Sequence, residues 1–115
     1  MQHLVFVYGT LRQGECHHSF LKHAEFLGHH RTDAQFALYD LGPYPALSTG
    51  QKSVLGEIYL IDNETLDELD KLEDVPVEYR REFIGTPFGL SWIYLYQGAE
   101  VLNEEIASGD WCQRV

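Results

Sequence analysis

The sequence predicts an α+β fold: a small, mostly antiparallel β-barrel of five or six strands flanked by one or two helices. Three observations carry this reading. Short β-branched and aromatic runs recur along the chain, each bounded by Gly, Pro, Asn or Asp. Clear helical spacing occurs only at residues 64–74. Strands and helices do not alternate regularly, which disfavours a doubly wound parallel sheet and favours a curled or closed antiparallel one. With 115 residues, 44% hydrophobic and 13% aromatic, the chain has material for one core, and residues 1–115 are read as a single domain.

The first strand is Leu4 to Tyr8, stopped by the glycine-bounded loop Gly9-Thr10-Leu11-Arg12-Gln13-Gly14. Ser19 to Leu27 shows loose helical spacing through Phe20, Ala24 and Leu27, with Gly28 as its stop. Ala34 to Leu41 reads as a strand ended by the turn Gly42-Pro43-Tyr44-Pro45. Val54 to Ile61 is the next strand, and Asp62 or Asn63 caps the helix that follows. Tyr79–Ile84 and Leu90–Tyr96 form a hairpin across Thr86-Pro87-Phe88-Gly89. Ile106 and Gly109-Asp110-Trp111 suggest a last short strand or edge. No internal repeat or low-complexity tract interrupts this order.

Charge narrows the function. Eighteen acids against eight bases give a formal charge of −10, without the basic face that a nucleic-acid binder needs. The same surplus disfavours an anionic membrane surface. The apolar run at residues 4–8 is too short for a signal-peptide core or a membrane span. Cys16 and Cys112 follow no CxxC spacing, so reduced thiols and a cytoplasmic location are expected. Oligomeric state leaves no mark on the sequence.

One carboxylate stands out. On the 64–74 helix, Leu66, Leu69 and Leu72 fan over one arc of the wheel, and Glu73 falls about 40° from its centre. The other acids of the segment lie outside the arc. A carboxylate turned towards an apolar surface loses hydration, and its pKa rises towards the range useful for proton exchange at neutral pH. The competing reading makes Glu73 an ion-pair partner of Arg80 or Arg81. A second feature is Tyr8-Gly9-Thr10-Leu11, where a strand breaks at glycine and successive amides can form a concavity for a carboxylate or oxyanion. The loop has the GxxxxG outline of a phosphate loop. However, Glu15 and Cys16 stand where that motif needs Lys and Ser/Thr, so nucleotide binding is not expected. His17-His18 and His29-His30 lack metal-ligand spacing, and no metal or cofactor is expected.

Four segments together resemble the γ-glutamylcyclotransferase-like family, closest to its small γ-glutamylamine cyclotransferase branch. They are FVYGTLRQG (Phe6–Gly14), GPYPAL (Gly42–Leu47), GEIY (Gly56–Tyr59) and LDELDKLEDVPVEYR (Leu66–Arg80). The resemblance covers most of the chain. It implies a small β-barrel flanked by helices, a loop at Tyr8, Gly9, Thr10 and Leu11 that binds the glutamyl moiety through backbone amides, and Glu73 as catalytic acid/base. Tyr79 occupies a pocket-lining position, and Arg12 is a candidate partner for the substrate α-carboxylate. The implied reaction is cyclisation of a small-molecule γ-glutamyl amide to 5-oxoproline with release of the free amine. A non-catalytic module binding a similar metabolite is the alternative on the same fold. The stretch Glu15-Cys16-His17-His18 departs from the amine-specific pattern and leaves the leaving group open.

Overall fold

A computed structural model describes residues 2–114. Seven strands, one α-helix and two short 3-10 turns follow one another along the chain. The strands are β1 (Gln2–Val7), β2 (Glu25–Arg31), β3 (Phe36–Asp40), β4 (Pro45–Thr49), β5 (Leu55–Asp62), β6 (Tyr79–Thr86) and β7 (Gly89–Tyr96). The helix α1 (Asn63–Leu72) joins β5 to the segment before β6.

Five strands form one sheet in the order β2-β5-β1-β7-β6, and β3 pairs with β4 in a separate ribbon. Pairing is antiparallel except between β1 and β7, which run parallel at Val5 and Trp92. The sheet is therefore mixed and mostly antiparallel. Among the described residues its hydrogen bonding runs from β2 to β6 without returning, so the expected closure into a barrel is not seen.

The continuous apolar run of β1 has a physical reason: the strand is covered on both faces. Val5 and Val7 pack with Tyr59, Leu66 and Leu69 on the side of α1. Phe6 faces the other way, towards Leu38, Leu47, Ile58 and Trp111, under the β3–β4 ribbon. On α1, Leu66 and Leu69 are buried as the wheel requires, and Asp62 caps the helix by accepting the Thr65 N–H at 2.8 Å. Beyond Leu72 the chain makes its last helical hydrogen bond at the Glu73 N–H, then turns through Asp74 at φ 51°.

Three expectations need correction. The helix over Ser19–Leu27 is instead a 3-10 turn at His18–Leu21 followed by β2. Its apolar residues do not share one buried face: Phe20 is exposed, Ala24 and Leu27 are only partly buried against different core clusters, and Leu21 is the residue that enters the core. Gly28 is not a stop but the irregularity in the β2–β5 ladder, at a positive φ of 155°. Pro45 begins β4, a strand read only as part of a turn; Ala46 and Leu47 are buried there against β3. Among the described residues the chain end forms one isolated bridge, Tyr39 to Glu105, and a 3-10 turn at Trp111–Gln113.

The end of the chain nevertheless fixes the loop after β1. Arg12 is buried and donates from Nε to Glu57 at 3.1 Å and from Nη1 to Asp110 at 2.6 Å. Glu57 lies on β5, 2% exposed, and its other oxygen accepts from the Gln13 N–H (3.0 Å) and the Tyr59 hydroxyl (2.8 Å). Asp110 also caps the last 3-10 turn through the Cys112 N–H. This commits Arg12 to structure, so the expected contact with a substrate carboxylate is not available to it. Glu57→Ala leaves a buried guanidinium short of a partner. It is expected to lower unfolding stability by about 3–5 kcal/mol, read as a reduced midpoint in urea denaturation. A midpoint equal to wild type would show that the network contributes nothing.

Candidate active site

The loop that leaves β1 begins at Gly9, where a side chain has no room. A Cβ there would stand 2.5 Å from Cγ of Pro45, the first residue of β4. Pro45 is itself held, because its carbonyl accepts the Tyr79 hydroxyl at 2.6 Å. Tyr8 is anchored from behind by donating to the carbonyl of Tyr94 at 2.6 Å. The loop turns tightly through the Arg12 N–H to the Gly9 carbonyl (3.0 Å) and is closed by the His17 N–H to the Thr10 carbonyl (2.9 Å). The N–H groups of Gly9, Thr10 and Leu11 donate to no acceptor among the described residues.

Beside this loop lies a narrow cleft. Tyr8, Gly9, Thr10 and Leu11 line it together with Glu73, and Pro45, Tyr79 and Tyr94 complete its sides. The structure thus brings all five sequence-selected site residues to one cavity. Tyr79, placed at its rim by resemblance, is there as well.

Glu73 reaches the cleft from just past the end of α1, still on the arc of Leu66 and Leu69. Its carboxylate makes no ion pair or hydrogen bond among the described residues. Burial pushes its pKa from 4.5 to about 7, and the nearby charge of Glu78 adds to the rise. The alternative partners are engaged elsewhere: Arg80 with Glu82 at 2.6 Å, Arg81 with Asp70 at 2.8 Å. The buried phenols of Tyr8, Tyr79 and Tyr94 are all driven upwards, mainly by desolvation, and remain protonated hydrogen-bond donors.

A second, small cavity adjoins the first across Thr10, Tyr44, Glu73 and Tyr79 and adds His17, Leu72 and Glu78. Tyr44 donates to Oε1 of Glu78 at 2.5 Å, and this carboxylate raises the phenol's pKa to about 12. His17 meets Thr10 through Nδ1 and Oγ1 at 2.9 Å. Sequence reasoning missed Glu78 and gave His17 no place in the substrate cleft. Glu78 sits between an expected turn and an expected strand, where an acid is ordinary. Cleft membership for His17 depends on the fold of the loop that precedes it. Among the described residues no group of three or more His, Cys, Asp or Glu side chains is arranged to hold a metal ion. No helix is long and apolar enough to cross a membrane.

Similarity to other proteins agrees with this arrangement. Residues 5–113 match the family described as γ-glutamyl cyclotransferase, AIG2-like. A protein of Vibrio cholerae serotype O1 is 62% identical over 115 residues, spanning 100% of both chains. YtfP of Escherichia coli K12, named a γ-glutamylcyclotransferase family protein, is 43% identical over 110 residues and covers 96% of each. Among solved structures, the uncharacterized protein PH0828 of Pyrococcus horikoshii superposes with a TM-score of 0.83 at 31% identity. That alignment covers 95% of this chain and 89% of the other. With a family match across nearly its whole length and relatives 62% and 43% identical, the chain belongs to the AIG2-like γ-glutamyl cyclotransferase family of enzymes.

Proposed function

We propose that the protein cyclises a γ-glutamyl amide to 5-oxoproline and releases the free amine, with Glu73 carrying the proton. The observation that supports this most is an unpaired, desolvated carboxylate lining the same small cleft as Gly9, Thr10 and Leu11, whose N–H groups have no acceptor among the described residues. The reaction needs little else. The neutral α-amine of the substrate attacks its own γ-carbonyl carbon, and a new C–N bond closes the five-membered ring. The attacking nitrogen gives its proton to the Glu73 carboxylate. Glu73 then protonates the leaving nitrogen as the original C–N bond breaks, and returns to its ionised form.

The remaining parts of the cleft have roles that follow from geometry. The amides of Gly9, Thr10 and Leu11 would stabilise the oxygen that becomes negative in the tetrahedral intermediate. The walls made by Tyr8, Pro45, Tyr79 and Tyr94 would hold the glutamyl chain folded, with amine and carbonyl in reach of each other. A carboxyl poised near neutrality suits both halves of the proton transfer, since it neither holds the proton too weakly nor too tightly.

Glu73→Gln preserves the shape of the side chain and removes the proton carrier. It is expected to fold normally, judged by circular dichroism, and to release 5-oxoproline at least ~10²-fold more slowly. Turnover near wild type in the folded variant would take Glu73 out of the mechanism. The raised pKa has a separate consequence for stability. Because the folded state holds this proton more tightly than the unfolded chain, its stabilising contribution is complete below pH 4.5 and is lost as pH rises to about 7. Glu73→Gln should therefore melt increasingly higher than wild type across that window, with the gap levelling off above it. A melting-temperature difference that does not change with pH would contradict a desolvated Glu73.

A further inference from the structure

The two histidines that follow the glycine-bounded loop both turn their rings back onto it. Each reaches a residue 7 positions earlier. His17 places Nδ1 2.9 Å from Oγ1 of Thr10, and its own N–H donates to the Thr10 carbonyl at 2.9 Å. His18 places Nδ1 2.9 Å from the Leu11 carbonyl. A carbonyl only accepts, so this Nδ1 carries a hydrogen. Thr10 and Leu11 are buried, while both histidines are half-buried. The rings have backing of their own. His17 stands edge-on to Phe20, and His18 leans on Tyr59 with 5.9 Å between ring centroids. Tyr59 in turn donates to Glu57, which ties the pair to the Arg12 network.

Peptide planarity carries these contacts to the residues that line the cleft. The Thr10 carbonyl and the Leu11 N–H share one plane and point in opposite directions, so holding the first aims the second. The Leu11 carbonyl, held by His18, shares its plane with the Arg12 N–H, which donates to the Gly9 carbonyl at 3.0 Å. That carbonyl lies in one plane with the Thr10 N–H. His17 and His18 therefore fix alternate peptide planes, and with them two N–H groups that have no acceptor among the described residues. The Thr10 hydroxyl adds a second effect. Left free, a threonine hydroxyl can accept from backbone N–H groups close by and compete with a ligand for them. Contact with His17 Nδ1 keeps it engaged. The Cys16 sulfur lies 3.6 Å from the same nitrogen, a longer and weaker contact.

We infer that His17 and His18 are positioning residues for the reaction, a clamp that holds the Thr10 and Leu11 amides in one orientation and free of internal acceptors. The inference rests on the cyclotransfer reading for the charge those amides meet, an oxyanion that exists only in transit. A donor fixed before reaction begins costs no reorganisation when that charge appears, whereas a swinging one must first be ordered. Both imidazoles act through the residues they hold.

The test compares His17→Leu and His18→Leu with His17→Asn and His18→Asn, because an asparagine amide stands where Nδ1 does and keeps its contact. Each protein is measured by ¹⁵N relaxation of the Thr10 and Leu11 amides. Turnover is read as 5-oxoproline release from the γ-glutamyl amides of alanine, n-butylamine and the lysine ε-amine. In the leucine variants the order parameters of these amides are expected to fall from about 0.85 to below about 0.6. There kcat should drop about tenfold with KM little changed, the mark of an interaction made in the transition state by a donor misaimed rather than removed. Asparagine should restore both readouts. Leucine variants with rigid amides, or with the kcat of wild type, overturn the clamp. Asparagine variants as impaired as the leucine ones overturn it too, since the effect would then belong to the ring and not to the Nδ1 contact. If wild type releases no 5-oxoproline from any of the three amides, the cyclotransfer reading falls and the order parameters alone judge the clamp. Where a leucine variant does not fold, the glutamine variant takes its place, because a glutamine amide reproduces Nε2 and loses the Nδ1 contact.

Discussion

The buried ion network of Arg12 with Glu57 and Asp110 is the constraint on which the site depends. Two carboxylates and a guanidinium have been taken out of water, and the cost is offset only because every oxygen facing inwards has a donor. The network joins the loop after β1 to the middle of the sheet at β5 and to the far end of the chain. Without it, a loop of small residues with undirected amides would have little reason to keep one shape. The price in desolvation yields a fixed loop after β1, the segment that lines the cleft with Glu73.

Two acids, the buried Glu57 and the half-buried Glu73, illustrate how surroundings decide what a carboxylate does. Glu57 is saturated with donors and serves as a fastener. Glu73 has none, and burial alone sets its proton affinity, assisted by the field of Glu78. The aromatic residues divide in the same way. Tyr8, Tyr79 and Tyr94 are tied by their hydroxyls to Tyr94, Pro45 and Asp70, so their rings are fixed walls rather than mobile covers. Asp70 in the last turn of α1 and Glu73 just past its end thus have opposite assignments. The first is used up by Tyr94 and Arg81, and the second is left free.

Much of this was legible in the residues. The strands of β1, β5, β6 and β7 carry dense β-branched and aromatic runs, and α1 has a leucine stripe with a cap, so local pattern and tertiary environment agree. Glu73 was visible for the same reason: a wheel records which side chains share a face, and burial of that face by packing then acts on all of them. The segments that misled were those where local pattern is weak. Phe20, Ala24 and Leu27 mimic a helical stripe, yet the segment after Leu21 is drawn into the sheet by pairing with β5, a partner about thirty residues away that no local spacing announces.

Taken alone, the sequence determined the class of the fold, the strand that carries the loop, the helix that carries the acid and the family to which the chain belongs. These are properties of periodicity and of short motifs, which are local and survive without coordinates. Only the tertiary structure decided that Arg12 is a structural cation, that Pro45 rather than backbone strain makes Gly9 obligatory, and that Glu78 and His17 border the same cavity as Glu73. Each of those facts is a meeting of residues distant along the chain. Desolvation and charge pairing act through space, so nothing written in the order of the residues could fix them before the sheet had formed.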